Sequence, residues 1–258
     1  MHGKNEIFIM PDFINDYDLW DRYCGSVWQS ILSELNFSRF GTVADIAPGA
    51  SAKIEYALVN AGFCGKLYII EPHIKTGHMI LNKARKLLPE ADIVLINKPF
   101  SKVFVNEKID AVFANHPFDD FISAYLTKEK SELDVMFNDI SQEEEAVIEL
   151  LKKTWDVSHD RIENVKSQIA LEFKQFLMRH MPSTVILNQY DSSYFDRNGL
   201  GMINLHANEL FNRIKNISAG NFLSEIVQKF LDKNENYGNI HIGEVLLNAE
   251  NWTVYEKK

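Results

Sequence analysis

The chain reads as a doubly wound α/β protein with a mostly parallel sheet, and three observations predict it. Five short apolar runs, Val43–Ile46, Lys66–Glu71, Asp92–Asn97, Asp110–Ala114 and Thr184–Leu187, alternate with segments of helical periodicity. The first run leaves through a tight turn, Ala47-Pro48-Gly49-Ala50-Ser51, and the second ends in the carboxylate of Glu71. The tail reads as strand 244–247, turn 248–251 and strand 253–255, an antiparallel hairpin that closes the sheet.

Each element has its own warrant. In residues 1–40, Tyr17, Trp20, Tyr23 and Trp28 recur with Ile31, Leu32 and Leu35 at helical spacing, after Asn15 or Asp16 as a start signal. This segment is expected to form an N-terminal helical cap, and residues 41–258 the α/β domain. Ser51 is expected to cap a helix through Ile54, Ala57, Leu58 and Ala61, which Gly62 ends. A further helix is expected from Thr76 to Leu88, stopped by Pro89. Asp92–Asn97 is nearly all apolar, which predicts a strand buried on both faces. Residues 121–180 are charged and mostly helical, with the periodic stretch Ile162–Met178, and exceed a simple crossover. They are expected to include a helical lid over the carboxyl edge of the sheet. A polar, glycine-containing loop, Asp191–Gly201, precedes a helix near Glu209–Ile217.

Composition narrows the function. The 258 residues carry 27 basic and 36 acidic side chains, a formal charge of −9, which disfavours a phosphate-rich nucleic-acid surface. Two cysteines, Cys24 and Cys64, give neither a disulfide framework nor a metal-ligand spacing. The histidines lack an H-E-x-x-H pattern, so no metal is expected. No apolar run reaches the ~18 residues of a membrane helix and no leader pattern stands at the start. A soluble, cytoplasmic protein acting on a small molecule is the expectation.

The chemistry-bearing residues gather where the strands end. Gly49 lets a backbone approach a ligand without a Cβ between. Asp45 is placed to receive an ammonium group, and Glu71 has two oxygens suited to paired ribose hydroxyls. The plainer alternative is a tight turn whose two acids cap nearby amides. Only one glycine stands where a dinucleotide fingerprint needs three, and Asp45 would lie beneath a pyrophosphate. A sulfonium nucleoside, which is cationic and lacks phosphate, suits an acidic loop better.

On these residues the chain resembles class I S-adenosylmethionine-dependent methyltransferases, across roughly residues 40–190 and the terminal hairpin. In that family an acid ends the first strand, a glycine loop follows, and an acid ends the second. Asp45, Gly49 and Glu71 stand at the matching places, while Ala47 and Ser51 replace the outer glycines of the loop. The resemblance implies a Rossmann-like fold and S-adenosyl-L-methionine as cofactor, held by Asp45, Ala47, Gly49, Glu71 and, after strand three, Asn97, with Phe100 against the base. Asn115-His116-Pro117-Phe118 resembles the Asn/Asp-Pro-Pro-aromatic motif of members that methylate amines, with His116 in place of the first proline. It implies Asn115 and His116 as catalytic groups, His116 as a base. Asn115, Pro117 and Phe118, with Tyr17 and Trp20 of the N-terminal segment, would bind substrate, and a nitrogen acceptor is favoured. Two alternatives stay open, a transferase of aminopropyl or aminocarboxypropyl groups on the same fold and a non-catalytic binding module.

Overall fold

The computed structural model describes residues 17–35, 37, 40–137, 144–217 and 252–256. Six strands form one sheet: β1 Thr42–Ile46, β2 Lys66–Ile70, β3 Asp92–Ile96, β4 Ala111–Asn115, β5 Thr184–Asn188 and β6 Trp252–Glu256. Their spatial order is β3-β2-β1-β4-β5-β6, and every pair is parallel except β5 with β6. This is the doubly wound, mostly parallel, Rossmann-like sheet expected from the alternation of runs. The first strand of the expected hairpin, 244–247, lies outside the described residues, as do Asn15 and Asp16.

Alternating side chains divide the core into two layers. Ala44, Ile46, Tyr68, Ile70, Val112, Ala114, Val185 and Leu187 face one side. There they meet α4 Phe118–Leu126, α7 His159–His180 and α9 Gly201–Ile217. Val43, Leu67, Ile69, Ala111, Phe113 and Ile186 face the other, beneath α1 Tyr17–Glu34, α2 Lys53–Asn60 and α3 Ile74–Leu87. The helices following β1 and β2 thus cover one face and those following β4 cover the other. The winding reverses between β1 and β4, and this gap at the carboxyl ends is where such sheets bind ligands.

Three expectations change at this point. β3 is an edge strand of intermediate burial, not one buried on both faces. Its apolar composition matches a strand covered by α3 on one side, and an edge position leaves no signature in so short a run. α2 starts at Lys53, with Ala52 at its cap and no side-chain cap bond from its own turn. The Asp21 carboxylate of α1 accepts the Ala52 amide at 2.8 Å instead. Finally, the long stretch after β4 is four helices, α4, α5 Lys130–Phe137, α6 Glu144–Trp155 and α7. Ile162, Ile169, Phe173 and Phe176 of α7 are core residues. α5, with no buried side chain, lies toward the carboxyl edge, where Phe137 stacks on His73 at 4.5 Å.

α1 is built into the core. Its Val27, Trp28, Ile31, Leu32 and Leu35 are buried against the sheet and α2. Gly25 makes the approach possible, since a Cβ there would stand 2.5 Å from that of Tyr56. Gly62, at φ +70, ends α2 as expected, its amide bonded to the Val59 carbonyl at 2.9 Å.

Candidate functional site

β1 delivers its end into a bend of unusual backbone. Ala47 has φ +52 and Gly49 φ +63, so two left-handed residues flank Pro48. The Ala47 amide donates to the Ile70 carbonyl at 2.9 Å, which pins the bend to the end of β2. A Cβ built on Gly49 would meet nothing within 4 Å. The glycine serves the turn, and open space lies over it.

Glu71 closes the bend from below. Its Oε2 accepts the Gly49 amide at 3.1 Å and its Oε1 the His73 amide at 3.0 Å. Burial pushes its pKa up to about 7, against the pull of those two amides. Each oxygen keeps a further lone pair beyond its backbone partner. Asn97 braces the same place, its Nδ2 donating to the Glu71 carbonyl at 3.0 Å, while its own surface is exposed. Phe100 points away into the core against Phe121 at 4.9 Å, so it offers no ring to a ligand.

Asp45 is fully buried and has an unforeseen partner. Glu55, in the first turn of α2, is equally buried, and none of the four carboxyl oxygens accepts from an N–H or a hydroxyl. The two acids face each other and share a proton: burial raises both, Glu55 raises Asp45 further, and Asp21 adds to the rise of Glu55 against the hydrogen bond from Asp45. Glu55 reaches about 8. With Glu71 close by, the ends of β1 and β2 form an acidic floor.

β4 and β5 supply the other wall. His116 leaves β4 at φ +54, and its backbone amide donates to Asn188 Oδ1 at 2.9 Å. Its Nε2 bonds the Tyr190 carbonyl at 2.7 Å, and because a carbonyl only accepts, Nε2 carries the proton of the neutral ring. Nδ1 then faces Asp119 Oδ1 at 3.3 Å, with burial lifting that carboxyl to about 6. Burial and the nearby Lys53 ammonium bring His116 down to about 4, so it is neutral at pH 7 and Nδ1 carries a lone pair. Asn115 is buried, and its Oδ1 accepts from Trp28 Nε1 at 2.9 Å and from Asn188 Nδ2 at 3.0 Å.

Lys53 and Tyr190 complete the crevice, and neither stood out in the sequence. The Lys53 ammonium reaches the Tyr190 phenol, and Tyr190, Cys24 and Asp21 outweigh burial to keep its pKa high. Burial pushes the Tyr190 hydroxyl up to about 12. Beside it, desolvation and the neighbouring Asp119 raise the Asp120 carboxyl against the pull of Lys53.

The structure therefore gathers Asp45, Ala47, Gly49, Glu71 and Asn97 at one end of the crevice and Asn115 and His116 at the other. Pro117 is buried at the start of α4. Phe118 is wholly buried against Phe121 and Phe211, so as placed it presents no stacking face to a substrate. Trp20 is half-buried and stacks on Tyr23 at 5.9 Å. Tyr17 opens α1, and its side chain lies outside the described residues.

A second polar cluster braces α7 to α9. Glu163, His206 and Glu209 bring ligand-type atoms within 4.8 Å of one another. The fully buried Lys166 sets its ammonium among them, paired with both carboxylates and 3.2 Å from His206 Nδ1. A resident cation of the chain thus fills the place where a metal would sit.

No family model matches the chain, and no curated protein matches it. Among solved structures, the methyltransferase domain of bacterial CtHen1 is 11% identical at a TM-score of 0.39, over 70% of this chain and 71% of that one. An S-adenosylmethionine-dependent methyltransferase from Clostridium acetobutylicum is 13% identical at a TM-score of 0.40, over 69% of this chain and 56% of its own. The plantazolicin methyltransferase BpumL, in complex with a monoazolic desmethylPZN analog and SAH, is 13% identical at a TM-score of 0.41, over 87% of this chain and 72% of that one. The strand order stands independently of these distant likenesses.

Proposed function

We propose that this chain is an S-adenosyl-L-methionine-dependent methyltransferase acting on a small polar acceptor. The observation that carries the reading is the open space over Gly49, at a left-handed bend between the Asp45–Glu55 pair and Glu71. Such a cradle accepts a nucleoside whose charged end is cationic and repels a diphosphate, because three acids underlie it.

The residues present fit the group. Glu71, already on two amides, has lone pairs left for ribose hydroxyls, and Asn97 stands exposed next to it after β3. Asp45, lacking any N–H donor, lies with its partner Glu55 beneath the methionine end, and Ala47 and Gly49 form the left-handed bend above them. When bound, the cofactor supplies a methyl group activated by a sulfonium. The protein's share is orientation and exclusion of water at the β1–β4 gap, with α5 beside the opening. Asn115 and His116 line the acceptor end, where His116 Nε2 donates to the Tyr190 carbonyl and Nδ1 keeps a lone pair that can take a proton.

Titration calorimetry with S-adenosylhomocysteine tests this reading. Saturable binding that Glu71→Ala weakens more than about tenfold is expected, that being the size of one charged hydrogen-bond pair. No heat and no change in melting temperature would overturn it.

A further inference from the structure

His116 leaves β4 at φ +54, a backbone that residues with a side chain rarely adopt, and its ring is held from two sides. Nε2 donates to the Tyr190 carbonyl at 2.7 Å, so the lone pair of the neutral ring sits on Nδ1. That lone pair faces Asp119 Oδ1 at 3.3 Å, between side chains 14% and 7% exposed.

Asp119 has donors, but none at this oxygen. Its own backbone amide, that of Asp120 and the Gln189 side chain donate to the carboxylate. Gln189 is turned for this, because its Oε1 accepts the Phe118 amide at 3.3 Å. Oδ1 nevertheless receives no hydrogen bond. Two acceptor atoms thus confront each other, and one proton between them would replace repulsion with a charge-assisted hydrogen bond. A second proton would charge the ring beside the Lys53 ammonium, so the capacity of the pair is one.

The surrounding charges set its resting state. Lys53, from α2, opposes an imidazolium and supports the Asp119 carboxylate. Asp191, after β5, and Asp120, on α4, act in the other direction. Cys24 and Asp21 of α1 face Lys53, and the Tyr190 phenol faces both Lys53 and Asp119. With burial holding His116 near 4 and Asp119 near 6, the pair stands empty at pH 7.

We propose that His116 and Asp119 form a one-proton sink for the acceptor, with Asp119 the positioning residue that keeps the proton on the Nδ1 edge. This rests on the methyltransferase reading above and names the acceptor class, a nitrogen or oxygen that still carries a proton when it attacks. The acceptor atom gives its lone pair to the methyl carbon, and the pair of the breaking carbon–sulfur bond stays on sulfur. The acceptor's proton passes to Nδ1, is shared with Oδ1, and leaves to water.

Two measurements on the full chain test the sink without a substrate. In nuclear magnetic resonance, with the ring nitrogens and aspartate carboxyls isotope-labelled and assigned through bonds, Nδ1 should be unprotonated at pH 7. On acidification, Nδ1 and the Asp119 carboxyl should shift together in one step near pH 6. Asp119→Asn should abolish that step down to about pH 4, and Asp119→Glu should restore it. Diethyl pyrocarbonate, which acylates only an unprotonated imidazole nitrogen, should modify His116 at pH 7, at a rate that falls through the same step. That reaction reports access from the crevice, which a purely structural pair would lack. If neither variant folds, the two wild-type measurements decide. Separate steps for the two groups, a ring unresponsive above pH 4, a protonated Nδ1 at pH 7, or an unreactive His116 overturns the proposal. Loss of S-adenosylhomocysteine binding with the shared step intact would instead strike the cofactor reading alone.

Discussion

The Asp21 carboxylate of α1 accepts the Ala52 amide at 2.8 Å, so one helix caps the start of another. Asp21 is wholly buried, and its Oδ2 also meets the Lys83 ammonium at 3.4 Å, while Lys83 donates to the Ala50 carbonyl at 2.8 Å. The bend before α2 is thereby held from two sides. Asp21→Ala strands the Ala52 amide and should lower unfolding free energy by roughly 1–3 kcal/mol. Asp21→Asn, which keeps an acceptor, should fall between the two in urea melts. Equal losses for both variants would show that charge, not capping, carries the contact.

Gly49→Ala separates the turn from the cradle. At φ +63 the new side chain costs about 1 kcal/mol of stability, with no clash to add, since its Cβ meets no protein atom within 4 Å. The methyl group projects into the open space instead. S-adenosylhomocysteine affinity should fall by more than stability does, compared by calorimetry and urea melts on the same sample. Unchanged affinity would place the nucleoside elsewhere.

The buried acids give a pH signature. Glu55 is raised to about 8 in the folded chain, from a usual value near 4.5. An acid raised on folding binds its proton more tightly in the native state, so its contribution to stability falls as pH rises between those values. Other groups titrate in the same window, His116 in the opposite sense, so the informative quantity is a difference. Glu55→Gln, free of the penalty, should gain stability relative to the unsubstituted chain as pH rises from about 5 to about 8. A difference that is flat across that range, in denaturant melts at each pH, would exclude the shared proton.

Lys166 makes a contrary prediction about metals. Its ammonium already occupies the Glu163–His206–Glu209 cluster, so zinc should leave the melting temperature unchanged. Lys166→Met leaves Glu209 without its lysine partner and Glu163 with Arg213 alone, both partly exposed, and should cost about 1 kcal/mol in urea melts. A zinc-induced rise in the unsubstituted chain would mean that the lysine yields its place.

The sheet and the bend between β1 and Glu71 were legible because their signals are local. A period-two run, a proline–glycine bend and an acid after the next strand lie within thirty-odd residues, roughly the span of one βαβ unit, and strand, turn and helix obey short-range rules. Asn115 was legible for the same reason, as part of a four-residue motif. Its hydrogen-bond polarity was not, because Trp28 lies 87 residues earlier and Asn188 73 later, and no local pattern records such pairings. Lys53 and Glu55 read as ordinary first-turn charges. One signal was available for Glu55, which precedes the buried Leu58 by three positions and so shares its inward face. Phe118 misled because an aromatic ring after a strand end serves a core as readily as a substrate.

The Trp28 indole, besides holding Asn115, meets Trp252 edge-on at 5.0 Å. An early helix and a late strand thus clasp the residue between them. A substitution at Trp252 would therefore reach the end of β4 through a single indole, since that ring both packs on β6 and donates to Asn115.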